Sequence, residues 1–581
     1  MKSEFQKTFK ILTIIILLVC IYADHCLAAS DVFDVSYGFS ENFGGNIVLG
    51  RPTDTSITVN VEFDVDQDEV YIEYGTDTGS YPNSTGTTIE VKAYVEESGD
   101  TTFQTYEQEI TGLQADTRYY YRVVSTIDEN INYSSEHTFH TQRSKGGSFT
   151  FTIVADSHLF NSGHMFEGRY ARAMKNVAAD EPDFHIDLGD TFYVDHINSP
   201  DFDVVFERTI KHRPYFGFVT NSAPLFLVLG NHESEWEWID LGCPDGDRDW
   251  DENLPEWETV ARKALYPNPD PHLLDFYSGT TKDWGTVTDE YGVEFEIGRR
   301  ESYYAWEWGD ALFLVLDPYW ENPTGSVDWA GTHGDDQYFW FKKTLENSDA
   351  KWKFVFEHHI YGNNRGGVEA VYKSEWGDAA NYPSQRPGWE KTMHQIMVDT
   401  IDPNGGSIYF QGHDHLYAVG QKDGVYYVEC PMPGADSDDD GTADGPYFPD
   451  GNNTGAYYDS DVVLNNSGHV RVKVAPTGLI VDYVSAKLDT DTTVNGDDGG
   501  QNGNVAHSFT IGDSYIPSYI PGDIDSSGSI DLKDIIISLQ IASKTQPGKS
   551  VYSWADVNGD NKIGLEEAIY GMNVLKEIGS F

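Results

Sequence analysis

Cysteine is scarce in this 581-residue chain. Of the four cysteines, Cys20 and Cys26 lie near the N-terminus, so the rest of the chain can form one disulfide at most, between Cys243 and Cys430. An exported chain permits that bond, but spacing alone does not require it. Basic residues are also few, 38 Lys and Arg against 95 Asp and Glu, giving a net charge of −57. Such a surface repels nucleic-acid backbones and attracts divalent cations, so no nucleic-acid-binding role is expected. Acidity of this kind also serves solubility or salt tolerance. Long apolar runs are missing beyond the first 28 residues, and nothing later approaches the ~18 uncharged apolar residues of a membrane span.

The one such run, ILTIIILLVCIY, follows Lys2, Lys7 and Lys10 and precedes small residues ending at Ala28 and Ala29. That is the anatomy of a secretory signal peptide over residues 1–28. It predicts a secreted, periplasmic or cell-surface protein with no membrane association once the leader is removed, an uncleaved anchor being the alternative. A chain of this length is expected to hold two to four domains.

What is present is a repeated pattern of a short apolar run ending in a polar cluster. FTIVADSH ends at Asp156 and His158, DFHIDLGD at Asp190, and PLFLVLGNHE at Asn231 to Glu233. KWKFVFEHH ends at His358 and His359, and SIYFQGHDH at His413 and His415. Runs rich in Val, Ile, Phe and Leu read as buried strands, and helical stretches between them suggest βα units. Ligand-binding groups in open α/β sheets gather beyond the carboxyl ends of strands, so the five clusters are expected to converge. His185 and Asp187 alternate with Phe184, Ile186 and Leu188 and belong to the other face of their strand.

Before this region, residues 30–145 alternate as half-buried strands do, in TSITVNVEF, DEVYIEYG, TRYYYRVVST and EHTFHTQ, which implies a β-sandwich. GLQADTRYYYRV resembles the late strands of a fibronectin type III domain, with Leu113 in the core and Tyr119 as a tyrosine-corner candidate. Its expected role is a spacer or wall for the next domain, with independent ligand binding as the alternative. RSKGG, Arg143 to Gly147, reads as a short linker.

Over residues 148–514 the motifs DSH, GDTFY, GNHE, HH and GHDH, in that order, resemble those of the calcineurin-like metallophosphoesterases. The preceding sandwich makes the chain similar to purple acid phosphatases. The resemblance implies a central α/β domain of four-layer αββα architecture that carries a dinuclear metal centre and hydrolyses phosphate esters. The chemistry asks for such residues independently: two cations can clamp a phosphoryl group and lower the pKa of a bound water, but need a bridging anion to offset their repulsion. By resemblance Asp190 is the bridge, with Asp156, His158 and His415 at the first metal and Asn231, His358 and His413 at the second. Mixed imidazole and oxygen donors favour iron, zinc or manganese. The histidine of GNH in the family faces substrate, which makes His232 an acid or charge stabiliser and not a ligand. Glu233 is expected to orient its neighbours.

Two positions are contested. The family's ligand stands two residues before a proline, and Ile360 occupies that place here, so His358 is preferred to His359. Purple acid phosphatases share GDTFY but carry Gly where this chain has His158, so Tyr193 and His158 compete for one ligand position; His158 is preferred. Inserts at 236–302 and 362–389 follow ligand motifs and are expected at the mouth of the site, with Arg365 either a phosphate contact or a solvated surface residue. The acidic stretch 435–445 is either a calcium loop through Asp436, Asp438, Asp440 and Asp444 or a flexible loop.

Two stretches near the C-terminus, DIDSSGSIDLKD and DVNGDNKIGLEE, match the calcium-loop template of oxygen donors at positions 1, 3, 5 and 12. The first offers Asp523, Asp525, Ser527 and Asp534; the second Asp556, Asn558, Asp560 and Glu567. Each leads into an apolar helix, so residues 521–581 form a small α-helical calcium-loop pair that resembles a type I dockerin. The resemblance implies Ca2+ binding and a cohesin-like partner, a calcium-stabilised end module being the alternative. The chain thus reads as an exported phosphate-ester hydrolase, against a calcium-dependent surface or assembly protein whose central domain is inactive.

Overall fold

A computed structural model describes residues 43–577 of the chain, except 64, 87–89, 96–101, 160–164, 198–200, 234–253, 289–293, 321–331, 361–365, 372–388, 435–461, 465–466, 489–501, 513–521, 525–529, 546–554, 556 and 558–562. The leader 1–28, Cys243, Arg365, the stretch 435–445, and Asp525, Ser527, Asp556, Asn558 and Asp560 lie outside the described residues. Cys430 is buried with a free thiol. Among the described residues no helix is long and apolar enough to cross a membrane. The chain divides into two compact units, one spanning Val35–Tyr515 and one containing Ile516–Phe581.

The larger unit begins with two antiparallel sheets. One orders Gly45–Gly50, Ser56–Phe63, Thr102–Thr111 and Glu90–Val95; the other orders Asn83–Ser84, Glu69–Gly75, Arg118–Ile127 and Asn130–Tyr133, with His137–His140 also on the Arg118–Ile127 strand. Period-two alternation puts Ile57, Val59, Val61 and Phe63 into a core with Ile72, Tyr121, Val123 and Phe139 of the facing sheet. Leu113 belongs to that core, and the Tyr119 hydroxyl accepts the Gln114 N–H at 2.9 Å, the backbone bond that makes a tyrosine corner.

Half-burial was the sequence expectation for Ser56–Phe63, but its other face, Thr58, Asn60 and Glu62, is buried as well. The reason is contact with the rest of the unit. The Arg213 guanidinium reaches under this strand, donating through Nη1 to Asn60 Oδ1 at 2.8 Å and through Nη2 to the Asn46 carbonyl at 3.0 Å. Asn46 Nδ2 donates back to the Arg213 carbonyl at 3.0 Å, and the Tyr121 hydroxyl donates to the Asn221 carbonyl at 2.7 Å.

Beyond the sandwich two larger sheets face each other. The first orders Leu225–Leu227, Phe184–Asp187, Phe149–Val154, Gly468–Val474, Gly478–Ser485 and Val505–Gly512, its first three strands parallel. The second has eight strands, including a parallel run of Ala311–Val315, Trp352–Phe356, Gly406–Gln411 and Val425–Glu429. An aromatic core joins them: the Phe151 ring lies 5.2 Å from Phe313 and 5.2 Å from Phe354, both edge-on. On its other face the second sheet offers Leu312, Leu314, Val355 and Tyr409 to Tyr338 and Phe341 of helix Gly334–Asn347 and to Met393 and Met397 of helix Met393–Asp399. Helix Glu167–Ala179 lies against Gly468–Val474 of the first sheet.

In the smaller unit helices Leu532–Ala542 and Leu565–Glu577 pack through Ile535, Ala568 and Leu575. The two repeats fold alike. Asp534 accepts the N–H groups of Ile524 at 2.7 Å and Asp531 at 2.9 Å; Glu567, at the matching place, accepts those of Val557 at 3.2 Å and Gly564 at 2.6 Å.

The docking of sandwich on sheets generates a test. Arg213→Leu strands the buried carbonyl and amide oxygens of Asn46 and Asn60, and should lower unfolding free energy by about 3 kcal/mol in equilibrium denaturation. An unchanged midpoint would show that this buried network does not hold the two parts together.

Candidate metal centre

Three parallel strands of the first sheet and two of the second end in turns whose side chains converge. The turns that follow must approach one another closely, and glycine makes this possible. A Cβ on Gly189 would lie 2.7 Å from the Gly230 nitrogen, and one on Gly412 would lie 2.8 Å from Asp156 Oδ2. Gly189 also has φ +93°. Asp156, His158, Asp190, Tyr193, His413 and His415 all have positive φ as well, six of the fourteen such non-glycine residues described. Left-handed backbone concentrated in this way marks a site that the surrounding structure holds under constraint.

These turns bring Asp156, His158, Asp190, Asn231, His358, His413 and His415 together as buried groups. His358 Nε2 lies 2.9 Å from Asp190 Oδ2 and 3.7 Å from Asp156 Oδ1. His158 Nε2 is 3.4 Å from Asp190 Oδ2, and His415 Nε2 is 3.4 Å from Asp156 Oδ1. Donor atoms of Asp156, His158 and His415 form one group within 4.8 Å of one another, and those of Asp156, Asp190 and His358 another.

The donors fit a cation. Asp190 Oδ2, Asn231 Oδ1, His158 Nε2 and His358 Nε2 are buried without a hydrogen-bond partner among the described residues. His358 Nδ1 donates to the Leu188 carbonyl at 2.9 Å, so in the neutral ring Nε2 turns a lone pair toward carboxylate oxygens. That approach is repulsive unless a proton or a cation stands between them. Burial would raise the Asp156 carboxyl, but His358 and His415 hold it well below the usual range. Asp190 behaves likewise, with His358 and His232 overcoming its burial. Burial opposes charge on the partner imidazoles, yet the two carboxylates push His158 to about 9 and His358 to about 10.

Buried acids hold the ligand-bearing turns from behind. Glu233 accepts the N–H groups of Gly230 at 2.6 Å, Asp190 at 2.9 Å, Thr191 at 2.6 Å and Phe192 at 2.9 Å. Glu429 accepts the Asp414 N–H at 3.1 Å and an amide N–H of Gln411. Burial, with Asp190 beside it, raises the Glu233 carboxyl. His185 and Asp187 face away from the aromatic core, His185 Nδ1 meeting the Thr152 hydroxyl at 2.9 Å.

The contested pairs separate by contact. His358 faces the two carboxylates; His359 meets the Tyr319 hydroxyl through Nδ1 and packs its ring 3.5 Å from that of His413, with which His358 and His359 also form a donor group. His158 stands between Asp156 and Asp190, whereas Tyr193 places its ring 5.0 Å from His158 and stacks on His196 at 4.3 Å.

His232 stands at the open side with 19% of its side chain exposed. Its backbone N–H donates to Asp190 Oδ1 at 2.8 Å, its Nε2 is 3.8 Å from Asp190 Oδ2, and its Nδ1 is 2.7 Å from Asp195 Oδ2. Burial would raise the Asp195 carboxyl, but His232 and His196 keep it low. Sequence reasoning missed Asp195 and Glu429. Glu429 ends the run GVYYVEC and carries the same strand-end signal as the ligand motifs, whereas Asp195 carries none.

Residues 43–141 match the sequence model of the purple acid phosphatase N-terminal domain. The solved structure of PhoD aligns over 80% of this chain and 89% of its own, at 14% identity and a TM-score of 0.52, so the chain shares PhoD's fold. The solution structure of the third fibronectin III domain of the human KIAA0343 protein aligns over 19% of this chain and 91% of its own, at 17% identity and a TM-score of 0.12, a score that supports no inference. Among curated proteins no match is found.

The imidazole protons give a pH test. With His158 at about 9 and His358 at about 10, both rings are protonated at neutral pH without a cation, and an ion entering must displace those protons. Metal uptake should therefore release protons and weaken as pH falls, by about tenfold per unit for each proton displaced. Calorimetry of zinc or manganese uptake in buffers of different ionisation enthalpy reads the release directly; uptake independent of buffer and pH between 6 and 8 would contradict it.

Proposed function

We propose that the protein is an exported, metal-dependent phosphoric ester hydrolase of the calcineurin-like metallophosphoesterase type, its two facing sheets forming the central layers and its helices the outer layers of a four-layer αββα domain. The observation that carries this reading is the convergence of buried carboxylates and imidazoles, with Asp190 Oδ2, Asn231 Oδ1, His158 Nε2 and His358 Nε2 lacking a hydrogen-bond partner among the described residues. Asp190 would be shared between two ions, Asp156, His158 and His415 would hold one of them, and Asn231, His358 and His413 the other. The metals are iron, zinc or manganese, as mixed imidazole and oxygen donors favour. His158, between the two carboxylates, takes the position that Tyr193 would fill in a purple acid phosphatase.

Bound there, two cations supply the charge that clamps phosphoryl oxygens and acidifies a water. The chain's own residues do the rest. Asp195 accepts the Nδ1 proton of His232 at 2.7 Å and so fixes the ring with Nε2 toward the site. From Nε2 the proton passes to the departing ester oxygen, and the positive ring offsets charge that develops there. Glu233 keeps the backbone carrying Asp190 in place. PhoD's fold and the purple acid phosphatase N-terminal match support the same class.

The smaller unit is read as a dockerin-like calcium module. Its two repeats fold Asp534 and Glu567 over matching backbone positions, as a duplicated loop with a carboxylate at position 12 requires. A cohesin-like protein is its proposed partner.

Two outcomes follow. His232→Asn should retain both metals and lose about 100-fold to 10,000-fold in rate, the deficit growing as the leaving group becomes less acidic. A loss that is uniform across a series from acidic phenols to alkanols would assign His232 to binding, and loss of metal would make it a ligand. The isolated segment 521–581 should gain helical circular dichroism only with calcium, since so small a unit needs metal to offset its conformational entropy. A spectrum indifferent to calcium sinks that reading.

A further inference from the structure

Next to the ligand set, a second constellation faces solvent. The Asp195 carboxylate holds two histidines at once, His232 Nδ1 at 2.7 Å from Oδ2 and His196 Nδ1 at 2.9 Å from Oδ1. Donor atoms of Asp195, His196 and His232 lie within 4.8 Å of one another. The His196 ring is braced by stacking on Tyr193 at 4.3 Å and an interplanar angle of 16°, and its centre is 5.0 Å from that of His232. His196 is 52% exposed, with Asp195 at 18% and His232 at 19%, so the group has an open side from which an ion can enter.

Two imidazole nitrogens and a carboxylate oxygen with a free fourth position are what zinc takes in an open tetrahedral site, with ligand atoms about 3.3 Å apart. Both rings turn Nδ1 toward the one Asp195 carboxylate, so the three donors already converge. We propose that Asp195, His196 and His232 form a third cation site that takes zinc from solution and silences His232 as an acid. On binding, zinc takes the Nδ1 lone pairs of both rings, and any proton on those atoms goes to solvent. A ring bonded to zinc through Nδ1 cannot be an imidazolium. Giving up its Nε2 proton would leave an imidazolate, a far poorer outcome than the neutral ring left by free His232. The site thereby couples ambient zinc to turnover.

The inhibitory half of this rests on the proposed role of His232; the binding half does not. Full-length protein loaded with its two metals, in excess calcium to occupy the C-terminal loops, is titrated with zinc by calorimetry, and bound zinc is counted at equilibrium. Wild type should bind one equivalent more than His196→Asn or Asp195→Asn, each checked for native circular dichroism. Zinc should slow wild-type hydrolysis of an alkyl phosphate by about 100-fold, the scale of a lost general acid, and of an acidic aryl phosphate by less. His196→Asn should escape that inhibition. Equal zinc counts in wild type and both variants overturn the site, and equal inhibition of wild type and His196→Asn overturns its regulatory role. If no phosphate ester is hydrolysed at all, the reading of the main centre fails while the one-equivalent difference still decides the site.

Discussion

Two fully buried carboxylates, Asp156 and Asp190, sit where the two large sheets meet, and their negative charge must be balanced on the spot. Neither is paired with a Lys or Arg in the described structure; their neighbours are histidines. A histidine can be neutral or charged, so it allows the balancing charge to be a proton or a cation, which a permanent guanidinium would not. Much of the local architecture serves that choice. Glycines let the turns close in, left-handed residues aim the donors, and Glu233 and Glu429 tie down the backbone by its own N–H groups.

The sandwich is part of the same construction. Its strand Ser56–Phe63 is buried on both faces, one by its own core and one by Arg213 and the segment around it. Arg213 begins the short helix Arg213–Phe216, which closely precedes the strand Leu225–Leu227 whose end carries Asn231 and His232. The sandwich is thereby packed against the segment that leads into that strand.

The strand-end clusters were legible in the sequence because a buried parallel strand is a continuous apolar run, and the polar residues after it stand out. Phe151, Phe184, Phe226, Phe356 and Phe410 form one aromatic core, and the groups just beyond them form one polar edge. Leu113 and Tyr119 were legible for a similar reason, since both the tyrosine corner and its bond to Gln114 are local in sequence. What escaped was long-range pairing. Asp195 meets His232 across 37 residues and Asn60 meets Arg213 across 153, and no periodicity encodes such partners. Asn60 reads as a solvent-facing residue by alternation, and partners distant in sequence, Arg213 and the Ala264 carbonyl, bury it.

Net charge raises a further question for an anionic substrate. At −57 the molecule as a whole repels anions such as the phosphate esters proposed as its substrates, so long-range attraction would not draw them in. Screening limits that repulsion, since the Debye length is about 8 Å at physiological ionic strength and distant surface acids are largely silent at the site. Within that radius the balance is different. Histidines at positions 158, 196, 232, 358, 359, 413 and 415 lie among the carboxylates of Asp156, Asp190 and Asp195, so a cation bound there shifts the local field toward positive. The acidic surface can then serve solubility without defeating binding, and capture of the proposed substrate would depend on cation occupancy more than on the protein's fixed charge. On the proposed reading cations would be a condition for recognition as well as for chemistry, and the buried donors, not surface basic residues, would carry the site.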